Sequence, residues 1–87
     1  MGWTVEYTSK AKKSLRKLDK KVAERILDYM DDLPEDPRGK GKALLGNLDG
    51  FWRYRVGDYR VLAKLEDDKL IILVVEAGHR RKIYGGH

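Results

Sequence analysis

Trp52-Arg53-Tyr54-Arg55-Val56-Gly57-Asp58-Tyr59-Arg60-Val61 reads as a β-hairpin closed on Gly57-Asp58. A two-residue loop with glycine first suits a type II′ turn, whose twist matches that of the flanking strands. The turn sets the register: Val56 pairs with Tyr59, Arg55 stands opposite Arg60, and Arg53 lies two residues away on the same face. Cross-strand neighbours have Cβ atoms ~5 Å apart, and like charges there repel. Three guanidinium groups on one patch therefore point to an anion held between them. The competing reading pairs each arginine with an acid such as Asp58, Glu66 or Glu76.

Downstream, Tyr59 to Glu66 forms the second strand, Asp67-Asp68 turns, and Lys69 to Val75 forms the third. The unbroken Leu-Ile-Ile-Leu-Val-Val run suits a strand buried on both faces. With Asp67-Asp68 as a two-residue loop, Arg60 falls opposite Val75. Gly78 then bends the chain, and the tail Gly78-His79-Arg80-Arg81-Lys82-Ile83-Tyr84 brings His79, Arg80 and Tyr84 near Arg55 and Arg60. Alternation assigns Trp52, Tyr54, Val56, Val61, Ala63, Leu65, Leu70, Ile72 and Val74 to the core face. Phe51, Leu62, Ile71 and Leu73 share the arginine face. An apolar patch there is either a partner surface or is covered by the C-terminal tail or the 34–43 loop.

Upstream, Trp3 to Tyr7 alternates and is rich in β-formers, so it reads as a short strand. Thr8 or Ser9 caps a helix. Ala11, Leu15, Leu18, Val22, Ile26, Met30 and Leu33 recur at three- and four-residue steps, a helical stripe. Asp19 can end one helix and cap the next. Two helices at 9–18 and 20–33 packed as a hairpin are expected; one long bent helix is the alternative. Two prolines and two glycines make 34–42 a loop, and Asp49-Gly50 turns the chain into the hairpin. The fold class is α+β. One domain spans residues 1–87, with an antiparallel-rich sheet (an N-terminal strand plus a three-stranded C-terminal meander) packed on an N-terminal helix hairpin.

A chain of 87 residues fits one domain with a limited core. Its 19 Lys plus Arg against 14 Asp plus Glu leave a formal charge of +5, which favours a polyanionic partner. There is no cysteine, which excludes disulfides and thiolate metal sites. No apolar leader opens the chain, and Leu70 to Val75 is too short to span a bilayer. A cytoplasmic protein without a membrane partner is expected. Only His79 and His87 offer imidazole, so no metal site and no cofactor are expected.

The chemistry left to such a chain suits RNA, whose 2′-OH can attack the adjacent phosphate. Arginines stabilise the crowded phosphorane charge and bind phosphate bidentately. They remove protons poorly, because a guanidinium stays protonated in proteins. His79 or Tyr84 is the better candidate for proton transfer, and the tyrosine can stack on a base.

The element order, together with Phe51-Trp52-Arg53-Tyr54-Arg55-Val56-Gly57-Asp58-Tyr59-Arg60 and Gly78-His79-Arg80-Arg81-Lys82-Ile83-Tyr84, resembles the RelE toxins of the RelE/ParE toxin–antitoxin superfamily. The resemblance covers nearly the whole chain. It implies a ribosome-dependent endoribonuclease that cuts mRNA in the A site of the 70S ribosome. It also implies a cognate RelB-like antitoxin, with operator DNA bound only through the toxin–antitoxin complex. Carried over by position, Arg53 and Arg55 fall where the family has basic residues, one often a lysine assigned as general base; here both are arginine. Arg60 matches the phosphate-stabilising arginine, Arg80 the arginine that protonates the leaving group, and Tyr84 the tyrosine that stacks on an mRNA base. Arg55, Arg60, Arg80 and Tyr84 are thus the catalytic candidates. Arg53, His79 and Arg81 are RNA-binding candidates. Lys12, Lys13 and Arg16, together with Lys10 and Lys17 on the same helix, either grip ribosomal RNA or form a solvated face. The same fold hosts ParE-type toxins, which inhibit DNA gyrase without cutting RNA. A plain RNA-binding module is the remaining alternative.

Overall fold

The computed structural model describes residues 2–46 and 50–83. Strand β1 (Thr4–Tyr7) leads into α1 (Ser9–Arg16) and α2 (Lys20–Asp32). A single 3₁₀ turn (Leu33–Glu35) follows, then the two-residue strand β2 (Lys42–Ala43), the meander β3 (Phe51–Val56), β4 (Tyr59–Glu66), β5 (Ile71–His79), and the short helix α3 (Arg80–Ile83). The five strands form one sheet in the order β1-β5-β4-β3-β2. Only β1 runs parallel to its neighbour, β5.

Two helices form, not one bent helix, because polar caps interrupt the stripe. The Thr8 hydroxyl accepts the Ala11 N–H at 3.0 Å and donates to the Val75 carbonyl at 3.2 Å. It satisfies a helix N-terminus and ties α1 to the sheet. Asp19 accepts the Lys21 N–H at 3.2 Å and starts α2. Both helices are shorter than the apolar stripe suggested. Leu18 lies between them, and Leu33 falls in the 3₁₀ turn that Pro34 enforces.

The core lies between the helices and one sheet face. Tyr54, Val56, Val61, Ala63, Ile72 and Val74 meet Ala11, Ile26, Met30 and Leu33 there, with Trp52 and Leu65 packed at the margin. Leu70 departs from the expected core face. It sits in the β4–β5 turn at φ +54° with 41 % of its surface exposed.

Loop 36–41 closes the lower end of this core. The buried Tyr54 hydroxyl donates to the Pro37 carbonyl at 2.7 Å, and the Tyr29 hydroxyl donates to that of Lys40 at 3.3 Å. Gly41 is required by close approach, since a Cβ there would meet the Tyr54 ring at 2.5 Å. Arg38 stacks over Trp3 and Trp52 at 5.9 and 5.7 Å and pairs with Asp67 at 2.8 Å. That bond holds the Asp67 carboxyl below its ordinary pKa. The loop therefore lies on the helix side and does not cover the arginine face.

The expected turn at Asp67-Asp68 is longer. Glu66 pairs with Ile71 across a four-residue loop, and a β-bulge between Leu62 and Ala63 sets β5 back by one more residue. Arg60 consequently faces Gly78, not Val75, and β5 continues to His79. No described helix is long and apolar enough to cross a membrane.

Candidate functional site

The hairpin has the register its turn dictates: Val56 pairs with Tyr59, Arg55 with Arg60, and Arg53 with Leu62. Gly57 sits at φ +61° while Asp58 does not appear at positive φ, the signature of a II′ turn. Arg53, Arg55 and Arg60 thus share the sheet face turned away from the helices. Leu62 is buried on that face. The stems of long basic side chains can shield such a residue while their charges stay in water.

The tail returns to the same turn. The Arg80 N–H donates to the Asp58 carbonyl at 2.9 Å. The Arg60 guanidinium donates to the Gly57 carbonyl at 3.3 Å and to the Tyr59 carbonyl at 3.1 Å. One two-residue turn therefore anchors the backbone of residue 80 and the side chain of residue 60. Gly78 faces Arg60 and adds no side chain of its own to the arginine face. Arg55, Arg80 and Arg81 are exposed and Arg53 is half-buried.

The acids offered as alternative partners are only partly engaged. Between described residues the ion pairs are Lys10–Glu76 at 3.4 Å and Arg38–Asp67 at 2.8 Å. Neither involves Arg53, Arg55 or Arg80.

His79 departs from expectation. It pairs with Tyr59, and the two rings meet edge to face at 5.4 Å and 80°. Tyr59 shares its face with Val61, so the imidazole lies on the helix side, across the sheet from Arg55 and Arg60. The bulge produces this outcome: a one-residue shift exchanges the faces of everything beyond it. His79 Nδ1 accepts the Arg81 N–H at 3.2 Å. Tyr84 lies outside the described residues. Lys12, Lys13 and Arg16 are exposed on α1. Among the described residues no group of three His, Cys, Asp or Glu side chains could hold a metal ion.

A cleft of about 560 Å³ opens beside His79, between the end of α1 and the last residues of β5. Its lining includes Lys17, Tyr59 and Lys82; the sequence offered Lys17 only as part of the basic face of α1 and pointed to neither Tyr59 nor Lys82. Their meeting depends on the bulge, which carries no recognisable sequence signal.

Residues 5–84 match the family described as ParE toxin of type II toxin-antitoxin system. The chain is a toxin of the RelE/ParE superfamily. It is 31% identical over 85 residues to toxin RelG of Mycobacterium tuberculosis, covering 97% of this toxin and 98% of the relative. It is 26% identical over 83 residues to the mRNA interferase toxin RelE of Escherichia coli, covering 94% and 87% of the two chains. Its fold superposes on a chain of the toxin–antitoxin complex RelBE2 from M. tuberculosis with a TM-score of 0.86, at 28% identity, covering 92% of the toxin and all of that chain. The toxin thus carries its superfamily's α+β fold, with Arg55 paired with Arg60 beside one hairpin turn.

Proposed function

We propose that this toxin is an endoribonuclease that cleaves mRNA in the ribosomal A site. The observation that carries the reading is Arg55 directly opposite Arg60, with the Arg80 backbone tied to the turn between their strands. A relative of similar length is named an mRNA interferase, which supports the same reading.

The scissile phosphate lies against Arg55 and Arg60. The 2′-OH of the preceding ribose attacks phosphorus, and the two guanidinium groups balance the extra charge of the phosphorane. Preorganised donors of this kind contribute roughly 100- to 1000-fold each. As the P–O5′ bond breaks, Arg80 donates a hydrogen bond to the leaving 5′ oxygen, which takes its proton from solvent, and Tyr84 stacks on a base. Arg53 and Arg81 hold flanking phosphates. The 2′ proton leaves through the ribosomal environment or solvent, because the imidazole of His79 lies across the sheet. No metal takes part, and the products are a 2′,3′-cyclic phosphate and a 5′-OH.

The partner in the cell is a RelB-type antitoxin, as in the complexes formed by the toxin's structural neighbours. Lys12, Lys13 and Arg16 engage ribosomal RNA at a distance from the cleavage point.

Primer extension on translated mRNA, with and without the purified toxin, tests the proposal. New 5′ ends that depend on ribosomes are expected; their absence would overturn it. A gyrase supercoiling assay examines the other activity known on this fold, and no inhibition is expected even at high toxin concentration.

A further inference from the structure

The cleft beside His79 lies on the opposite sheet face from the arginines, and the cleavage mechanism leaves it unused. Its floor is aromatic. Tyr59 and His79, both half-buried, meet edge to face there. One wall is the end of α1, with Ser14, Lys17 and Leu18; the other carries Lys82 of α3.

The polar groups around that floor favour an anion. Lys17 and Lys82 are both exposed cations at the rim. His79 Nδ1 already accepts the Arg81 N–H, so in neutral imidazole Nε2 carries the proton and is a donor. Ser14 donates its own proton to the Lys10 carbonyl at 3.0 Å, so its oxygen is an acceptor suited to a base or ribose donor and not to the phosphate. Among the described residues Glu76 is the single acid in the lining, and Lys10 offsets its charge at 3.4 Å. The volume of about 560 Å³ falls within the roughly 300–1,000 Å³ usual for small-ligand sites.

We infer that this cleft binds one nucleotide, its base on the Tyr59–His79 floor and its phosphate between Lys17 and Lys82. An aromatic platform flanked by flexible cations is the general device for single nucleotides without sequence readout. The inference extends the ribonuclease reading, on which it rests for its occupant: a nucleotide of the RNA strand beyond the one that the arginines hold. The strand would pass around the hairpin tip, where Gly57 and Asp58 link the two faces. A free mononucleotide offers the same chemistry.

Amide-resolved NMR titration of the full-length toxin distinguishes these sources. The probes are adenosine 5′-monophosphate and a 2′-O-methylated trinucleotide, which cannot be cleaved. Saturable shifts at the Gly78, His79 and Lys82 amides are expected. Tighter binding of the trinucleotide assigns the site to an RNA strand; equal binding assigns it to the free mononucleotide. Tyr59→Leu should weaken binding about tenfold or more, within the range stacking supplies. Lys17→Glu, an exposed change that does not threaten folding, should weaken it as well. Absence of shifts at millimolar ligand, or unchanged affinity in Lys17→Glu, would overturn the inference. Ribosome-dependent cleavage, measured separately by primer extension, tests the arginine face, so a failure of the ribonuclease reading is distinguishable from a failure of this one.

Discussion

The backbone N–H of Arg80 donates to the carbonyl oxygen of Asp58 at 2.9 Å. This one bond fastens the tail to the tip of the β3–β4 hairpin, where Arg60 also bonds the Gly57 carbonyl. Twenty residues separate Arg60 from Arg80 in the chain. The meander erases that separation by folding β5 back along β4.

The first prediction concerns these arginines. Arg80→Ala removes an exposed side chain and keeps the anchoring backbone bond, so stability should change by less than about 0.5 kcal/mol. Cleavage of ribosome-bound mRNA should fall by about 100-fold or more. Arg55→Ala should lower cleavage to a similar extent, since Arg55 is the cross-strand partner of Arg60. Primer extension and thermal unfolding on the same samples check both. Wild-type cleavage by either variant would remove these residues from the site.

Much of this arrangement was legible in sequence. Gly57-Asp58 could close only one tight hairpin, so the pairing of Arg55 with Arg60 followed from turn chemistry. The Thr8 and Asp19 caps followed from side-chain type. The position of His79 did not follow. It depends on a four-residue turn at Asp67–Leu70, in which a leucine takes a left-handed conformation that its type disfavours, and on a bulge opposite Leu62. Neither has a local sequence signal, and the bulge alone decides which face receives the imidazole. Strand β2 escaped notice because two residues carry no periodicity.

The left-handed Leu70 yields the second prediction. A non-glycine residue at φ +54° is strained, and Leu70 recovers little by burial, being 41 % exposed. Leu70→Asn keeps the backbone carbonyl that accepts the Thr4 N–H at 2.9 Å and tolerates the conformation better. It should stabilise the toxin by about 0.5–1 kcal/mol, read as a higher urea midpoint. A lower midpoint would show that the Leu70 side chain contributes packing that outweighs the strain.

Thr8 supports the third. Its hydroxyl caps α1 and also donates to Val75, the residue left unpaired at the bulge. Thr8→Ala should cost about 1–2 kcal/mol. Thr8→Ser keeps both bonds and should recover most of the loss. Chemical denaturation of the two variants checks this. Equal destabilisation by Ser and Ala would assign the effect to the lost methyl group instead.

The fourth prediction follows from Tyr54, which lies fully buried with its hydroxyl on the Pro37 carbonyl at 2.7 Å. Burial pushes its pKa well above the usual tyrosine value. A raised folded-state pKa means that the unfolded chain releases this proton first as pH rises. Stability from this group is therefore complete below about pH 10 and declines above it. Tyr7 and Tyr29 shift in the same direction, both chiefly through burial, and add to the decline. Tyr54→Phe leaves the Pro37 carbonyl without its donor and should cost about 1–3 kcal/mol at neutral pH. Its stability should then fall less steeply than wild type above pH 10. Urea midpoints at neutral and alkaline pH measure both effects, and parallel slopes for variant and wild type would show that this hydroxyl does not govern the alkaline loss.

The basic face of α1 gives the last. Lys12, Lys13 and Arg16 are exposed on a helix whose end reaches the His79 cleft but not the arginine face. Charges that contact RNA phosphates release counterions, so affinity falls with salt in proportion to the number of contacts. Replacing all three with glutamine should weaken ribosome binding and flatten its salt dependence by about two to three contacts. Arg55, Arg60 and Arg80 remain in place, so cleavage at saturating toxin should persist. Ribosome co-sedimentation across a salt series separates the two quantities. An unchanged slope would leave these side chains as the solvated face of a surface helix.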